Sequence, residues 1–537
     1  MAKAYDYVIV GAGSAGCVLA NRLSADPTVS VLLLEAGGKD SDPLIHIPLG
    51  VGKLSERQSH DWGYRCEPVP GLENRRVKST RGKVLGGSSS INVMAFTRGH
   101  PGDYDRWAAG GAKGWSFNEV LPYFKRIESW EGGESPMRGG FGPIGVQYAK
   151  TRDPLYDAWI DAGRSAGFGF TEDYNGVKPE GFGRSQYSIR NGRRSSAAAG
   201  YLHPALHRPN LTVITRALAS RIIFDGIRAV GVEYRRRNTA RHARAEREVI
   251  LAGGVFNSPQ LLMLSGVGPA EHLRETGITP LVDLPVGRNL QDHLVLSIFW
   301  SRKEPSLFRE QMRFDRIAWS MARAYLLGTG PATVLPGGLH AFVKTRPELA
   351  VPNIEFMFRG APAKVKPWFP GLRPAYADGY GIRSALLHPA SRGELRLRSQ
   401  DPRDPIRIFY NFLSAPSDLE TLREGFKRAR DTGNQPALAK FRGNELSPGP
   451  KVTTDVDIDA WIRKSAQTVS HPCATCPMGD GDGSVLDPEL KVRGVERLRV
   501  VDASAMPDLI SAHSNACVMM IAEKAADMIS GKAPPTA

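Results

Sequence analysis

The stretch His471-Pro-Cys-Ala-Thr-Cys-Pro-Met-Gly479 sets an imidazole and a C-x-x-C pair within six residues. Three chemistries use such a set: half of a zinc site, a dithiol redox pair, or the bed of a catalytic histidine. Two other stretches carry reactive spacings. Gly163-Arg-Ser165-Ala-Gly167 has the G-x-S-x-G form of a nucleophile elbow, and Gly11-Ala-Gly13-Ser14-Ala15-Gly16 has the form of a phosphate-binding loop.

Each spacing needs a particular element around it. Tyr7-Val-Ile-Val10 is a short apolar strand, the glycines follow at once, and the run CVLANRLSA continues as a helix. After Pro27 a second strand, VSVLLLEAG, carries Glu35 and Ala36. Strand, glycines, helix and a strand ending in an acid together make the dinucleotide arrangement. Gly11 permits the turn, Gly13 lets a pyrophosphate approach the helix N-terminus, and Gly16 lets helix and sheet pack closely. Glu35 is placed to accept bonds from an adenosine ribose, and its charge disfavours a 2'-phosphate. These residues leave FAD and NAD both open. Gly82-Lys-Val84-Leu-Gly-Gly87-Ser88-Ser-Ser-Ile-Asn92-Val-Met94-Ala-Phe96 reads either as a turn and helix cap or as the wall of a flat cofactor. The elbow lacks its strand, because DPLYDAWIDA before it has helical periodicity; Ser165 is expected at a helix end.

Further along, NLTVIT, RIIF, AVGVEYRR and EREVILAGG predict strands, and SPQLLMLSGVG predicts a helix ending at glycine. Residues 300–460 differ, with separated apolar segments, many prolines and alternation such as GELRLRS. An antiparallel sheet with covering helices is the expectation there.

Composition excludes several classes. The 537 residues are 41% hydrophobic and 23% charged, an ordinary globular balance. Lys plus Arg number 70 against 55 Asp plus Glu, a net +15. The basic runs Arg235-Arg-Arg237 and Lys427-Arg428 are short and mixed with acids, so no nucleic-acid partner is expected. Peripheral contact with an anionic membrane stays open. Five cysteines show no secreted-scaffold spacing. MAKAY runs into a strand with no room for a signal peptide, and no apolar run reaches the ~18 residues of a membrane span. A cytoplasmic location follows as the expectation.

The order and density of GAGSAG, EAGG, RGKVLGGSSSIN, AGGVFNSPQLLMLSGVG, HPCATCPMG and VDASAMPDLISAHSNACVMMIAEKAADMI carry a family pattern. The chain resembles the glucose-methanol-choline (GMC) flavoprotein oxidoreductases, especially the bacterial choline-dehydrogenase-like alcohol dehydrogenases. That resemblance implies an α/β FAD-binding domain, Rossmann-like and of glutathione-reductase type, plus an α+β substrate-binding domain with an antiparallel sheet. Residues 1–150, most of 151–299, and a C-terminal return over 461–537 would form the first, and 300–460 the second. By the same match Val84, Gly87, Ser88, Asn92 and Met94 run beside the flavin ring and diphosphate. Ala219 contacts adenine, Asp502 and Ala503 return to the diphosphate, and Asn515 meets the flavin end. Ile91 stands where some members carry a flavin-linking histidine, which implies dissociable FAD.

The resemblance also decides the opening stretch. His471 takes the place of the active-site base, and His513 the second position, which is His or Asn in the family. Imidazole can take a hydroxyl proton while the flavin takes the hydride from the same carbon. The expected reaction is oxidation of a primary alcohol to an aldehyde, with electrons passed to a quinone or another carrier. Direct use of O2 is the first alternative, and an FAD-containing interaction protein without turnover the second. No metal is expected, since Cys473 and Cys476 lack a partner pair. A choline-like substrate would want aromatic faces and a carboxylate; Trp62, Trp368, Phe369 and Glu355 are available, with core packing their plainer role.

Overall fold

The computed structural model describes residues 4–237, 239–362 and 365–535. Its first sheet has seven strands. Leu211–Thr215, Val31–Glu35, Ala4–Val10 and Thr239–Leu251 lie parallel and in that order, with Leu498–Val500 beside the last. Val31–Glu35 is buried at every residue, the unbroken apolar run of a parallel strand covered on both faces. Thr239–Leu251 is long enough to serve two neighbourhoods. Its first half pairs antiparallel with Arg228–Arg236, which pairs in turn with Ala217–Asp225. Its second half, Val249 to Leu251, lies between Val8–Val10 and Leu498–Val500. The helices Ser14–Leu23 and Asn515–Ser530 pack on each other, so the two ends of the chain close one face.

A second seven-stranded sheet is antiparallel throughout. Its order is Arg442–Ser447, Leu294–Arg302, Gly379–Leu386, Ile354–Arg359, Gly337–Val343, Gly181–Arg184, with Gln467–Thr468 against Leu294–Val295. Gly181–Arg184, Gln467–Thr468 and the start of Leu294–Arg302 come from outside residues 300–460. Strand alternation sorts the faces. Ile354, Phe356 and Phe358 join the core, and Gly425 of the helix Pro416–Asn434 sits against Ile354 and Ser384. The intervening Glu355, Met357 and Arg359 point the other way, with Arg383 paired across from Met357.

The segment 469–478 ties the two sheets together. Val469 N–H donates to His293 O at 3.0 Å and Cys473 N–H to Gln291 O at 3.0 Å, holding it to the start of a strand of the second sheet. Cys476 and Met478 N–H then donate to Ser504 O and Ala505 O at 2.8 and 3.0 Å, just beyond the last strand of the first. Ser165 ends the helix Leu155–Ser165 and is exposed, so the G-x-S-x-G spacing belongs to a helix end.

Candidate active site

Between the sheets runs a cavity of about 480 Å³. At one end lie Gly11, Gly13, Ser14, Ala15, Glu35, Ala36 and Ala219; along it Gly87, Ser88, Asn92, Met94, Asp502, Ala503 and Asn515; and His471 and His513 also line it. Gly16 and Val84 stand off the wall. A methyl on Gly16 would come within 1.8 Å of Gly11 O, so this glycine lets helix and loop touch. Val84 is buried with Ile45 and Leu54 behind the loop.

The glycine-rich end fits the ADP half of a dinucleotide. The helix Ser14–Leu23 starts at Gly13 with no side-chain cap, which leaves its N-terminus to an anion. A methyl on Gly13 would meet nothing nearer than Ala252 O at 3.9 Å, so the open side of the loop is a cradle that only a side chain would fill. Glu35 already accepts from Ala12 N–H at 2.9 Å and Gly37 N–H at 2.7 Å, and burial pushes its carboxyl up to about 7. It braces the loop, and any ribose hydroxyl must use the lone pairs that remain. Asp502 is similarly occupied: it accepts from Gly254 N–H, Ser258 Oγ, and both Ser504 N–H and Oγ. Ser14 Oγ donates to Asn515 Oδ1 at 2.7 Å, which joins the first helix to the last at the cavity wall. Asn92 Oδ1 accepts from Met94 N–H and from the buried Arg194, whose guanidinium also binds the carbonyls of Ile45 and Ser89.

The histidine end is a network. His471 and His513 have ring centroids 4.6 Å apart. His471 Nδ1 lies 3.0 Å from His293 Nδ1, and His293 Nε2 lies 3.1 Å from Ile510 O. A carbonyl only accepts, so His293 carries its proton on Nε2. Burial pushes the His293 ring down to about 3, so it is neutral and its Nδ1 is an acceptor. His471 must therefore donate from Nδ1, which leaves a lone pair on Nε2. Burial, with His513 and His293 nearby, holds the His471 ring well below the ordinary histidine value. Both effects make His471 a free base at neutral pH. Asp292 completes the mount by accepting His471 N–H at 2.8 Å, and Arg81 donates to Ser470 O beside it.

His513 is held from the other side. Its N–H donates to Thr97 Oγ1 at 2.7 Å, and its Nε2 lies 2.9 Å from Glu355 Oε1. The same oxygen accepts from His340 Nδ1 at 2.6 Å. Burial alone would raise the Glu355 carboxyl, but the two histidines outweigh it and hold the group well below the usual carboxylate range. His340, Glu355 and His513 are close enough to be considered as a metal set. Two rings converging on one oxygen at these distances are a hydrogen-bonded relay.

Sequence reasoning reached His471 and His513 and missed His293, His340 and the orienting role of Glu355. The available signal was Glu355 itself, a lone charge in the apolar strand Ile354–Arg359. Of the residues considered for a quaternary ammonium, Trp62 lines the cavity beneath Lys83, whereas Trp368 and Phe369 do not. Those aromatic groups do not converge. The cysteines are free and buried, and burial raises the Cys473 and Cys476 thiols well above their usual range. The His471 ring faces His293 and His513.

The N-terminal and C-terminal sequence patterns of the GMC oxidoreductases match residues 5–295 and 389–522, and the chain belongs to that family. Mitochondrial choline dehydrogenase of Mus musculus is 44% identical over 98% of this chain and 89% of its own length. Oxygen-dependent choline dehydrogenase of Sinorhizobium medicae (strain WSM419) is 44% identical over 98% and 96%. Pyridoxine 4-oxidase of Mesorbium loti superposes with a TM-score of 0.88 at 33% identity, covering 98% of this chain and 100% of that one. The chain is an FAD-dependent enzyme that oxidises a CH–OH group.

Proposed function

We propose that this protein oxidises a primary alcohol to the aldehyde and that molecular oxygen takes the two electrons, giving hydrogen peroxide. The observation that carries the chemistry is the forced tautomer of His471, whose Nε2 lone pair stands beside His513 on the cavity wall. His471 Nε2 takes the hydroxyl proton of the alcohol. His513, its Nε2 fixed by Glu355, is left with its Nδ1 edge to orient the substrate oxygen. FAD, when bound, supplies the acceptor for the hydride that leaves the carbinol carbon. The glycine loop, Glu35, Ser88, Asn92, Asp502 and Asn515 are the residues proposed to hold it.

The acceptor differs from the quinone or carrier read from the sequence. A relative named for oxygen dependence and a structural neighbour named as an oxidase support O2 at least as strongly. Transfer to a quinone or carrier is the second reading, favoured by the mitochondrial dehydrogenase relative and the net charge of +15. Two measurements decide. Anaerobic mixing with a panel of aliphatic, aromatic, amino and acidic alcohols should bleach the flavin with at least one. At air saturation, peroxide should form as fast as an artificial acceptor is reduced. Peroxide formation far slower than dye reduction would return the quinone reading.

A further inference from the structure

The second sheet places a cation where an alcohol would enter. Arg383 lines the cavity next to Met357, its cross-strand partner, on the face that also carries Glu355. It makes no hydrogen bond or ion pair with any described residue. The other lining cations are engaged: Lys78 pairs with Asp61 at 2.9 Å, and Arg81 donates to Ser470 O. Arg359, two residues beyond Met357 and on the same face, adds a second positive charge near Arg383 and is likewise without a described partner. Glu355 is near enough to act through space, but its Oε1 serves His340 and His513. Burial and Arg359 push the Arg383 guanidinium down to about 10, which still leaves it fully charged at neutral pH.

A guanidinium half-buried on a cavity wall, with Glu355 acting only through space and no hydrogen-bonded acid, is free to take an anionic ligand from the cavity. Its planar fork matches a carboxylate with two parallel bonds. Strand geometry gives the spacing. Ala385 lies opposite Glu355, and Arg383 is two residues along, roughly 7 Å on. The side chain can reach back part of that way toward His513, so the gap between the reacting hydroxyl and the guanidinium is a few carbon atoms.

We propose that the substrate is a primary alcohol bearing a carboxylate, bound through Arg383 with Arg359 reinforcing the charge. This deepens the alcohol-oxidase reading and rests on it. It also makes choline an expected poor substrate, since two guanidiniums against the one carboxylate of Glu355 leave that wall net positive toward a quaternary ammonium.

The holoenzyme tests this with hydroxypropionate and hydroxybutyrate carrying the hydroxyl at the far end, against propanol, butanol and choline. The acids are expected to exceed the matched neutral alcohols in kcat/KM by roughly thirtyfold or more, with choline the poorest. In Arg383→Met that ratio should collapse through KM, and Arg383→Lys should restore part of it. A second readout needs no turnover. Propionate should perturb the bound flavin spectrum of the wild type and of Arg383→Lys, and leave Arg383→Met unaffected at the same concentration. Neutral alcohols or choline turned over as well as the acids would overturn the proposal. So would loss of FAD in Arg383→Met, which would assign the guanidinium to the cofactor. If no alcohol bleaches the flavin, the oxidation reading itself falls and this inference with it.

Discussion

His471 owes its free Nε2 lone pair to a neighbour 178 positions away in the chain. His471→Ala should slow anaerobic flavin reduction about a hundredfold or more, the loss of a general base. His513→Asn should be milder, because an amide can still hydrogen-bond the substrate oxygen; stopped-flow absorbance compares the two, and a His513 variant as slow as His471→Ala would reverse the roles. His293 yields a sharper expectation. In the wild type His471 stays neutral until well below the ordinary ~6.5, so reduction should be flat from about pH 8 to about pH 6. His293→Ala removes the tautomer lock and part of the packing that shuts water from His471, and that burial is the main cause of its depressed pKa. That pKa then moves up, the ring is protonated at higher pH, and the acid limb shifts toward ~6.5 with reduction about tenfold slower at alkaline pH. Unchanged pH profiles would show that His293 only packs. Cys473 and Cys476, by contrast, carry neither electron nor metal in this scheme. Serine at both should lower stability by about 1–3 kcal/mol for each buried hydroxyl left unpaired, while the folded fraction still bleaches with alcohol.

At the scale of elements, the phosphate loop is two kinds of glycine. Gly11 has φ +101, and a methyl there would lie 2.4 Å from Ala252 O; at Gly16 it would lie 1.8 Å from Gly11 O. Substituting either should damage folding itself. Gly13 has φ −76 and open space at its Cβ. Gly13→Val should therefore fold, keep the wild-type far-ultraviolet circular dichroism, and be recovered mostly without flavin. Full flavin occupancy in that variant would move the pyrophosphate elsewhere. The mounting of His471 is also a property of elements. Residues 469–473 are stitched to the start of Leu294–Arg302, and residues 474–478 to Ala503–Ala505, so the base moves with neither sheet alone.

At the scale of the whole molecule, one cavity takes its lining from both sheets, with His471 and His513 on its wall. Ile91 lines the cavity and offers no nucleophilic atom. Acid or heat precipitation should release the yellow colour into the supernatant; flavin that stays on the denatured chain would refute non-covalent binding. Among the described residues no helix is long and apolar enough to cross a membrane.

The sequence determined by itself whatever depends on local spacing. The strand-glycine-helix unit, Glu35, the strands from Leu211 to Leu251 and the helical context of Ser165 were all legible, because turn geometry and periodicity act over a few residues. His471 and His513 were legible only through the family pattern around them. The rest lay beyond local signals. Gly181–Arg184 joins a sheet whose other strands lie more than a hundred residues later, and nothing in four short residues announces the partner. His293 reads as the end of a loop, Glu355 as a lone charge in an apolar strand, and Arg383 as a sheet residue. What each does depends on which atom faces it across the cavity. A tautomer, a depressed pKa and an unpaired guanidinium are properties of surroundings assembled from distant segments, so only the tertiary structure decided them.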